Sequence, residues 1–304
     1  MDKRILVTGG AGFIGSAVIR ELQKTYKNIF VVDNLSFGNR SYINIEDKNF
    51  FEEDIRNGSV LSEIIEKVKP HWIIHLAAIH FIPYCNKHPY EAADINIRGT
   101  LNVLNAAKKS SSLEKFFFAS TAAVYPIYDE AVTEEHEVKP LDIYGLTKQT
   151  GEHLCKEFFL EKNIDTVVCR FFNAFGPNET NPHLIPEIQE QINSGKRTIQ
   201  LGNLEPKRDF IHTYDMARAV RMLMEADDIG YDTFNLGRGI EYSVKEIVDA
   251  FERELGEKIT IETDPERVRK TDRMHLLADV SKLKEKTGWE PEWDIDRGIR
   301  TMIK

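Results

Sequence analysis

Thr8-Gly9-Gly10-Ala11-Gly12-Phe13-Ile14-Gly15 follows the apolar run Ile5-Leu6-Val7 and leads into a helical pattern with polar Ser16 at its start. Strand, glycine turn and helix in that order let backbone N–H groups and the helix N-terminus approach a pyrophosphate, because glycine allows the tight turn and puts no side chain in the way. Glycine occurs in many strand-to-helix turns, so the surroundings decide the reading. The next apolar run, Ile29-Phe30-Val31-Val32, ends at Asp33, where a carboxylate can accept hydrogen bonds from ribose hydroxyls. No arginine adjoins Asp33 to meet a 2′-phosphate, so the pattern favours NAD over NADP.

The same rhythm continues outward. Phe50-Phe51, Trp72-Ile73-Ile74, Phe116-Phe117-Phe118 and Thr166-Val167-Val168 are short apolar runs, separated by amphipathic stretches near residues 12–25, 57–68, 89–109 and 142–162. Strands alternating with helices imply βαβ units and a parallel sheet covered on both faces. The expected fold is α/β: a Rossmann-type doubly wound parallel sheet over residues 1–175. A smaller mixed α/β substrate domain follows over 176–304, part of which returns to the sheet. The boundary is placed after Asn173-Ala174-Phe175-Gly176-Pro177, where elements shorten and Pro, Asn and charge increase.

Composition excludes several classes. Forty Lys and Arg against 49 Asp and Glu give a net charge near −9, without the basic excess that binding nucleic acid through counterion release requires. Three cysteines at wide spacings suggest neither a disulfide framework nor a zinc knuckle. No signal-peptide pattern and no apolar stretch of about 18 residues is present, so a cytoplasmic protein without membrane contact is expected.

Chemistry enters with Ser120-Thr121-Ala122-Ala123-Val124-Tyr125 at a strand end and Tyr144-Gly145-Leu146-Thr147-Lys148 opening a helix. Four residues is about one helical turn, which puts Tyr144 and Lys148 on one face. A free phenol has a pKa of about 10; a nearby cation and a positive nicotinamide ring would bring it toward general-base range. Thr121 could hydrogen-bond the same substrate oxygen. The alternative is a packed Tyr with a solvated Lys.

These segments resemble the extended short-chain dehydrogenases/reductases, in particular the nucleotide-sugar epimerases and dehydratases. The resemblance also includes His75-Leu76-Ala77-Ala78, Asn96 with Gly99-Thr100, Arg170-Phe171-Phe172-Asn173, Leu184-Ile185-Pro186, Arg208-Asp209-Phe210-Ile211-His212, Asn235-Leu236-Gly237 and Gly288-Trp289-Glu290-Pro291. It implies catalytic roles for Thr121, Tyr144 and Lys148. It implies that Gly9, Gly12, Phe13, Ile14, Gly15, Asp33, Asn34, Ser36, Asp54, Ile55, Leu76, Ala77, Ala78, Asn96, Tyr144, Lys148 and Phe172 contact the cofactor. Asp54 and Ile55 would flank the adenine, and Phe172 would lie near the nicotinamide. His80, Thr121, Asn173, Arg208 and Arg269 would face the substrate, with Asn173 and the two arginines holding its diphosphate. Arginine suits that role because its planar fork matches phosphate oxygens. Alternatively Arg208 pairs with Asp209, and Arg269 belongs to a solvated loop.

Dehydratases of the group carry an Asp-Glu pair after the threonine; here Ala122-Ala123 stand there. The remaining hydroxyl, phenol and lysine suffice to remove and return a hydride and a proton. The expected activity is therefore NAD-dependent C4 epimerisation of a UDP-hexose through a transient 4-keto sugar. The alternatives are a reductase, dehydratase or decarboxylase of the same family, or a non-catalytic NAD-sensing regulator. A homodimer through segments 89–109 and 142–162 is implied. Two residues depart from the family: Pro126 replaces a glycine, and His80 stands where galactose epimerases commonly have lysine. The segment from His80 to His88 matches no standard zinc spacing, so no metal is expected, and Pro83 suggests a loop lining the substrate pocket. Glu134, Glu135 and Glu137 read as a solvated acidic cluster.

Overall fold

The computed structural model describes residues 3–265 and 273–303. Its strands are β1 (Arg4–Thr8), β2 (Asn28–Asp33), β3 (Phe50–Glu52), β4 (Trp72–His75), β5 (Lys115–Thr121), β6 (Asp165–Phe171), β7 (Asn173–Phe175), β8 (Thr198–Leu201), β9 (Lys207–His212), β10 (Tyr231–Leu236), β11 (Glu241–Ser243) and β12 (Thr260–Thr263). Seven form one sheet in the order β10-β6-β5-β4-β1-β2-β3, with every neighbouring pair parallel. All the apolar runs read as strands lie in it.

Residue alternation explains why both faces are covered. Ile5, Val7, Val31, Ile74, Phe117 and Val167 point into one core, shared with the helices Phe13–Leu22 and Thr213–Glu225. Their neighbours Leu6, Val32, Ile73, Phe116, Phe118 and Val168 point into the other, under the helices Gly58–Val68, Thr100–Ala107 and Ile143–Lys162. A strand buried on both sides needs apolar residues at consecutive positions, which is what these runs supply.

The chain beyond β6 builds a second assembly. β11, β9 and β7 form a small sheet, β12 pairs with β8, and a third core gathers Phe175, Ile188, Ile199, Phe210, Ile247, Phe251 and Ile299. β10 crosses back to pair with β6 in register from Tyr231 opposite Thr166 to Leu236 opposite Phe171. Helix Thr213–Glu225 likewise packs on the large sheet, against Phe13–Leu22.

The strand order reverses between β1 and β4: the chain turns one way from β1 to β2 and β3, and the other way from β4 onward. Loops leaving the two strands diverge there and open a crevice at their C-terminal ends, where open α/β sheets bind ligands. Two network positions fix the junction. Thr8 Oγ1 meets His75 Nδ1 at 2.6 Å, and His75 Nε2 meets Thr100 Oγ1 at 2.9 Å. Because the Thr100 hydroxyl donates to the Asn96 carbonyl, His75 donates from Nε2 and accepts from Thr8 at Nδ1.

Candidate active site

A cleft of about 1050 Å³ runs along this crevice, from the glycine turn across the end of β5 to residues beyond β7. Gly9 has φ +72°, and a Cβ there would lie 2.7 Å from Ala77 N; a Cβ on Gly15 would lie 2.0 Å from Gly9 O. Both positions therefore exclude a side chain. Helix Phe13–Leu22 starts at Gly12 with no side-chain cap and no acid in its first turn, which leaves its N-terminal N–H groups facing the cleft.

Asp33 closes β2 almost fully buried. Its two oxygens accept Ala11 N at 2.9 Å and Leu35 N at 2.8 Å, and burial raises its pKa against these bonds. Asn34 donates to Asp54 at 2.8 Å, and Arg56 holds that carboxyl at a pKa of about 2. Ser36, Ile55, Leu76, Ala77, Ala78 and Phe172 line the same wall.

Asn96 does not line the cleft. It is buried in a π-helical turn, Asp94–Gly99, where its amide bonds both the N–H and the carbonyl of Ile79 at 2.9 Å and donates to Thr147 at 3.0 Å. It braces the loop after β4 against the helix that carries Tyr144.

Thr121, Tyr144 and Lys148 converge in the middle of the cleft. Thr121 is the last residue of β5; its hydroxyl accepts Ala123 N at 3.2 Å and acts on the Tyr144 phenol. Helix Ile143–Lys162 is started by Asp142, whose carboxylate accepts Gly145 N at 2.8 Å. A Cβ on Gly145 would lie 2.4 Å from Ala123 O, so glycine lets the helix press against the end of β5.

The electrostatics differ from what the four-residue spacing suggested. Burial pushes the Tyr144 phenol above its ordinary value; the Thr121 hydroxyl works the other way, and Cys85 and Asp142 add to the rise. Lys148 is also buried, which lowers its pKa to about 8, and its Nζ rests 4.4 Å over the Phe118 ring. Protein groups alone thus leave the phenol protonated, and Lys148 is not among the groups that shift it.

At the far end, His80, Asn173 and Arg208 line the cleft. Arg208 donates to the carbonyls of Lys207 at 2.8 Å and Arg273 at 2.7 Å. Asp209 is fully buried and accepts the backbone N–H groups of Arg238, Gly239 and Ala278, so its carboxylate serves the fold. Arg269 lies outside the described residues. Three groups that sequence reading did not single out also line this end: Glu179, His183 and Arg273. Burial lowers the pKa of His80 to about 4, helped by His183 and Lys148, while burial raises that of Glu179.

Two further expectations are corrected. Residues 80–88 are not a plain loop: Ile82–Lys87 is a short helix with Pro83 in its first turn, where a missing N–H costs nothing. Glu134 is not a freely solvated acid; it is half-buried and its carboxylate accepts Asn235 N at 2.6 Å.

Strand order, glycine turn, Asp33 and the Thr121, Tyr144, Lys148 constellation together define an enzyme fold of the extended short-chain dehydrogenase/reductase class. The GDP-mannose 4,6 dehydratase family model matches residues 6–302, and the chain belongs to that family. It is 32% identical to the UDP-glucose 4-epimerase of Rhizobium meliloti over 97% of this chain and 94% of the relative. A crystal structure of the Thermotoga maritima UDP-glucose 4-epimerase with UDP-glucose superposes with a TM-score of 0.87 at 31% identity, covering 98% of this chain and 97% of that one. The Brucella ovis UDP-glucose 4-epimerase in complex with NAD gives 0.89 at 30% identity, with coverage of 98% and 97%.

Proposed function

We propose that this chain is an NAD-dependent nucleotide-sugar 4-epimerase acting on a UDP-hexose. One observation carries the reading: Thr121, Tyr144 and Lys148 meet in a single cleft that begins at the glycine turn and Asp33, while alanines occupy the two positions after Thr121. Asp142, the acid that influences Tyr144, is engaged in capping its helix. This leaves groups suited to moving one proton at a carbinol rather than expelling water.

The wall fits NAD. Gly9 and Gly15 leave room where a Cβ would collide with backbone, and the buried Asp33 offers charge to ribose hydroxyls while opposing a 2′-phosphate. When bound, NAD supplies a two-electron acceptor that later returns what it took. Tyr144 accepts the C4 hydroxyl proton as that carbon becomes a ketone, and gives it back when the carbon is reduced on its opposite face. Thr121 orients the same oxygen. Lys148 contributes the positive charge that favours the phenolate. Asn173, Arg208 and Arg269 hold the diphosphate, so the sugar can turn while its anchor stays fixed.

Among the described residues no helix is long and apolar enough to cross a membrane. We assign the chain to the cytoplasm on its three free, buried cysteines. We assign it a homodimeric state because Tyr90, Leu101, Leu146 and Leu160 are exposed on the helical segments 89–107 and 143–162. The activity is tested by incubating the purified protein with UDP-, GDP-, CDP- and dTDP-sugars without added reductant and following products by NMR. UDP-glucose and UDP-galactose should interconvert with no lasting change in NADH absorbance. A deoxy or decarboxylated product, or net NADH formation, would replace this reading with one of the other family reactions.

A further inference from the structure

Three metal-ligating side chains meet in the wall of the cleft although their segments are far apart in sequence. His80 follows β4, whereas Glu179 and His183 lie between β7 and helix Leu184–Asn193. Their ligating atoms all fall within 4.8 Å of one another, and this is the grouping of its kind found among the described residues. The two imidazoles stack with centroids 5.8 Å apart and planes inclined by 27°, and Phe81 meets His183 edge-on at 5.3 Å. Glu179 is fixed through Oε1, which accepts the N–H groups of Thr180 and Asn181 at 2.9 Å each.

The position of Asn181 shows where the lone pairs point. Its side-chain NH₂ reaches His80 Nε2 at 3.1 Å and Glu179 Oε1 at 3.4 Å, so an imidazole nitrogen and a carboxylate oxygen converge on one partially positive group. A cation placed there would satisfy the same acceptors more strongly.

We propose that His80, Glu179 and His183 form a divalent transition-metal site on the substrate side of the cleft, with a remaining position open to a substrate oxygen or water. Two histidines and one glutamate are a donor set that zinc accepts in tetrahedral sites, with the fourth position left for an exchangeable ligand. Two imidazoles among three ligands favour zinc-like ions over magnesium or calcium, which take oxygen. Bonds of about 2.1 Å place tetrahedral ligands roughly 3.4 Å apart. Side-chain rotation has to close the wider separations seen here, displacing the Asn181 amide. A metal so held would polarise or anchor a substrate oxygen as a Lewis acid, separately from proton transfer at Tyr144.

The test is equilibrium dialysis of EDTA-treated, NAD-loaded protein against Zn²⁺, with Co²⁺ as a visible probe. Wild type should bind one Zn²⁺ per chain at this site, and Co²⁺ should give the intense visible bands of a tetrahedral nitrogen and oxygen set. His183→Ala should weaken Zn²⁺ by about 100-fold or more, beyond the loss typical of an outer-shell partner. Glu179→Gln, nearly isosteric, should weaken it by at least about 10-fold. Retained NAD and an unchanged unfolding midpoint in each variant separate lost ligation from lost folding. Equal Zn²⁺ binding by wild type and the His80→Ala, His183→Ala double variant, or no Co²⁺ bands in wild type, would overturn the proposal. Neither result bears on whether the sugar is epimerised.

Discussion

The two ends of the cleft are built by different means. At the glycine turn the wall is mostly backbone, and its parts come from two consecutive strand ends: Gly9, Gly12 and Gly15 shape the turn after β1, and Asp33 closes β2. At the sugar end the wall is side chains drawn from separate segments: His80 after β4, Glu179 and His183 after β7, and Arg208 on β9 with Arg273 beyond. A backbone cradle tolerates little change, whereas a wall of long side chains can be re-equipped one residue at a time. Cofactor use is therefore written into geometry, and the choice of substrate into individual residues.

The sharpest way to break this division is at the centre, where the two ends meet. Tyr144→Phe should lower turnover by about 10³-fold while leaving NAD bound, as measured by sugar interconversion and by retained cofactor. Activity near wild type would remove Tyr144 from its role. A single methyl probes the backbone cradle: Gly15→Ala puts a carbon where Gly9 O already stands, 2.0 Å away. Denaturant unfolding should show a loss of about 3 kcal/mol, together with weakened NAD binding. Unchanged values would mean that the turn yields freely.

Asp33→Ala should weaken NAD by roughly 10- to 100-fold in a titration, the scale of a hydrogen bond to a charged group. The smallest effect concerns His75 at the junction of β1 and β4. Burial, with Lys148 adding, lowers its pKa to about 3, so the folded protein keeps it neutral where the unfolded chain takes up a proton. Its contribution is fully present above an unfolded pKa of about 6.5 and declines by roughly 1.4 kcal/mol per pH unit below it, until about pH 3. Denaturation curves at pH 7 and pH 5 should show a smaller acid loss in His75→Asn than in wild type.

The same contrast explains what could be read from sequence. Apolar runs such as Phe116-Phe117-Phe118 are local signals, and each became a strand of the large sheet. The glycine turn, Asp33, and Tyr144 with Lys148 were legible because a strand end or one helical turn brings their parts together. His80 stood out as a departure, but Asn178-Glu179-Thr180-Asn181 reads only as a polar turn, and nothing periodic links it to a segment about a hundred residues earlier. The buried network of Glu152 and Arg170 at 2.8 Å, with Tyr125 bonded to Arg170 and Asn235, was invisible for the same reason. Asn96 holds the Ile79 backbone through its side-chain amide, a bracing contact that no local sequence pattern announces.

In the chain itself burial raises the Tyr144 phenol, so proton uptake by Tyr144 requires the occupied cleft to reverse that shift. Ultraviolet difference titration of wild type against Tyr144→Phe, with and without NAD, isolates this one phenol. Without NAD it should ionise above the ordinary value of about 10, and with NAD saturating it should ionise well below that value. A midpoint unmoved by NAD would contradict the account.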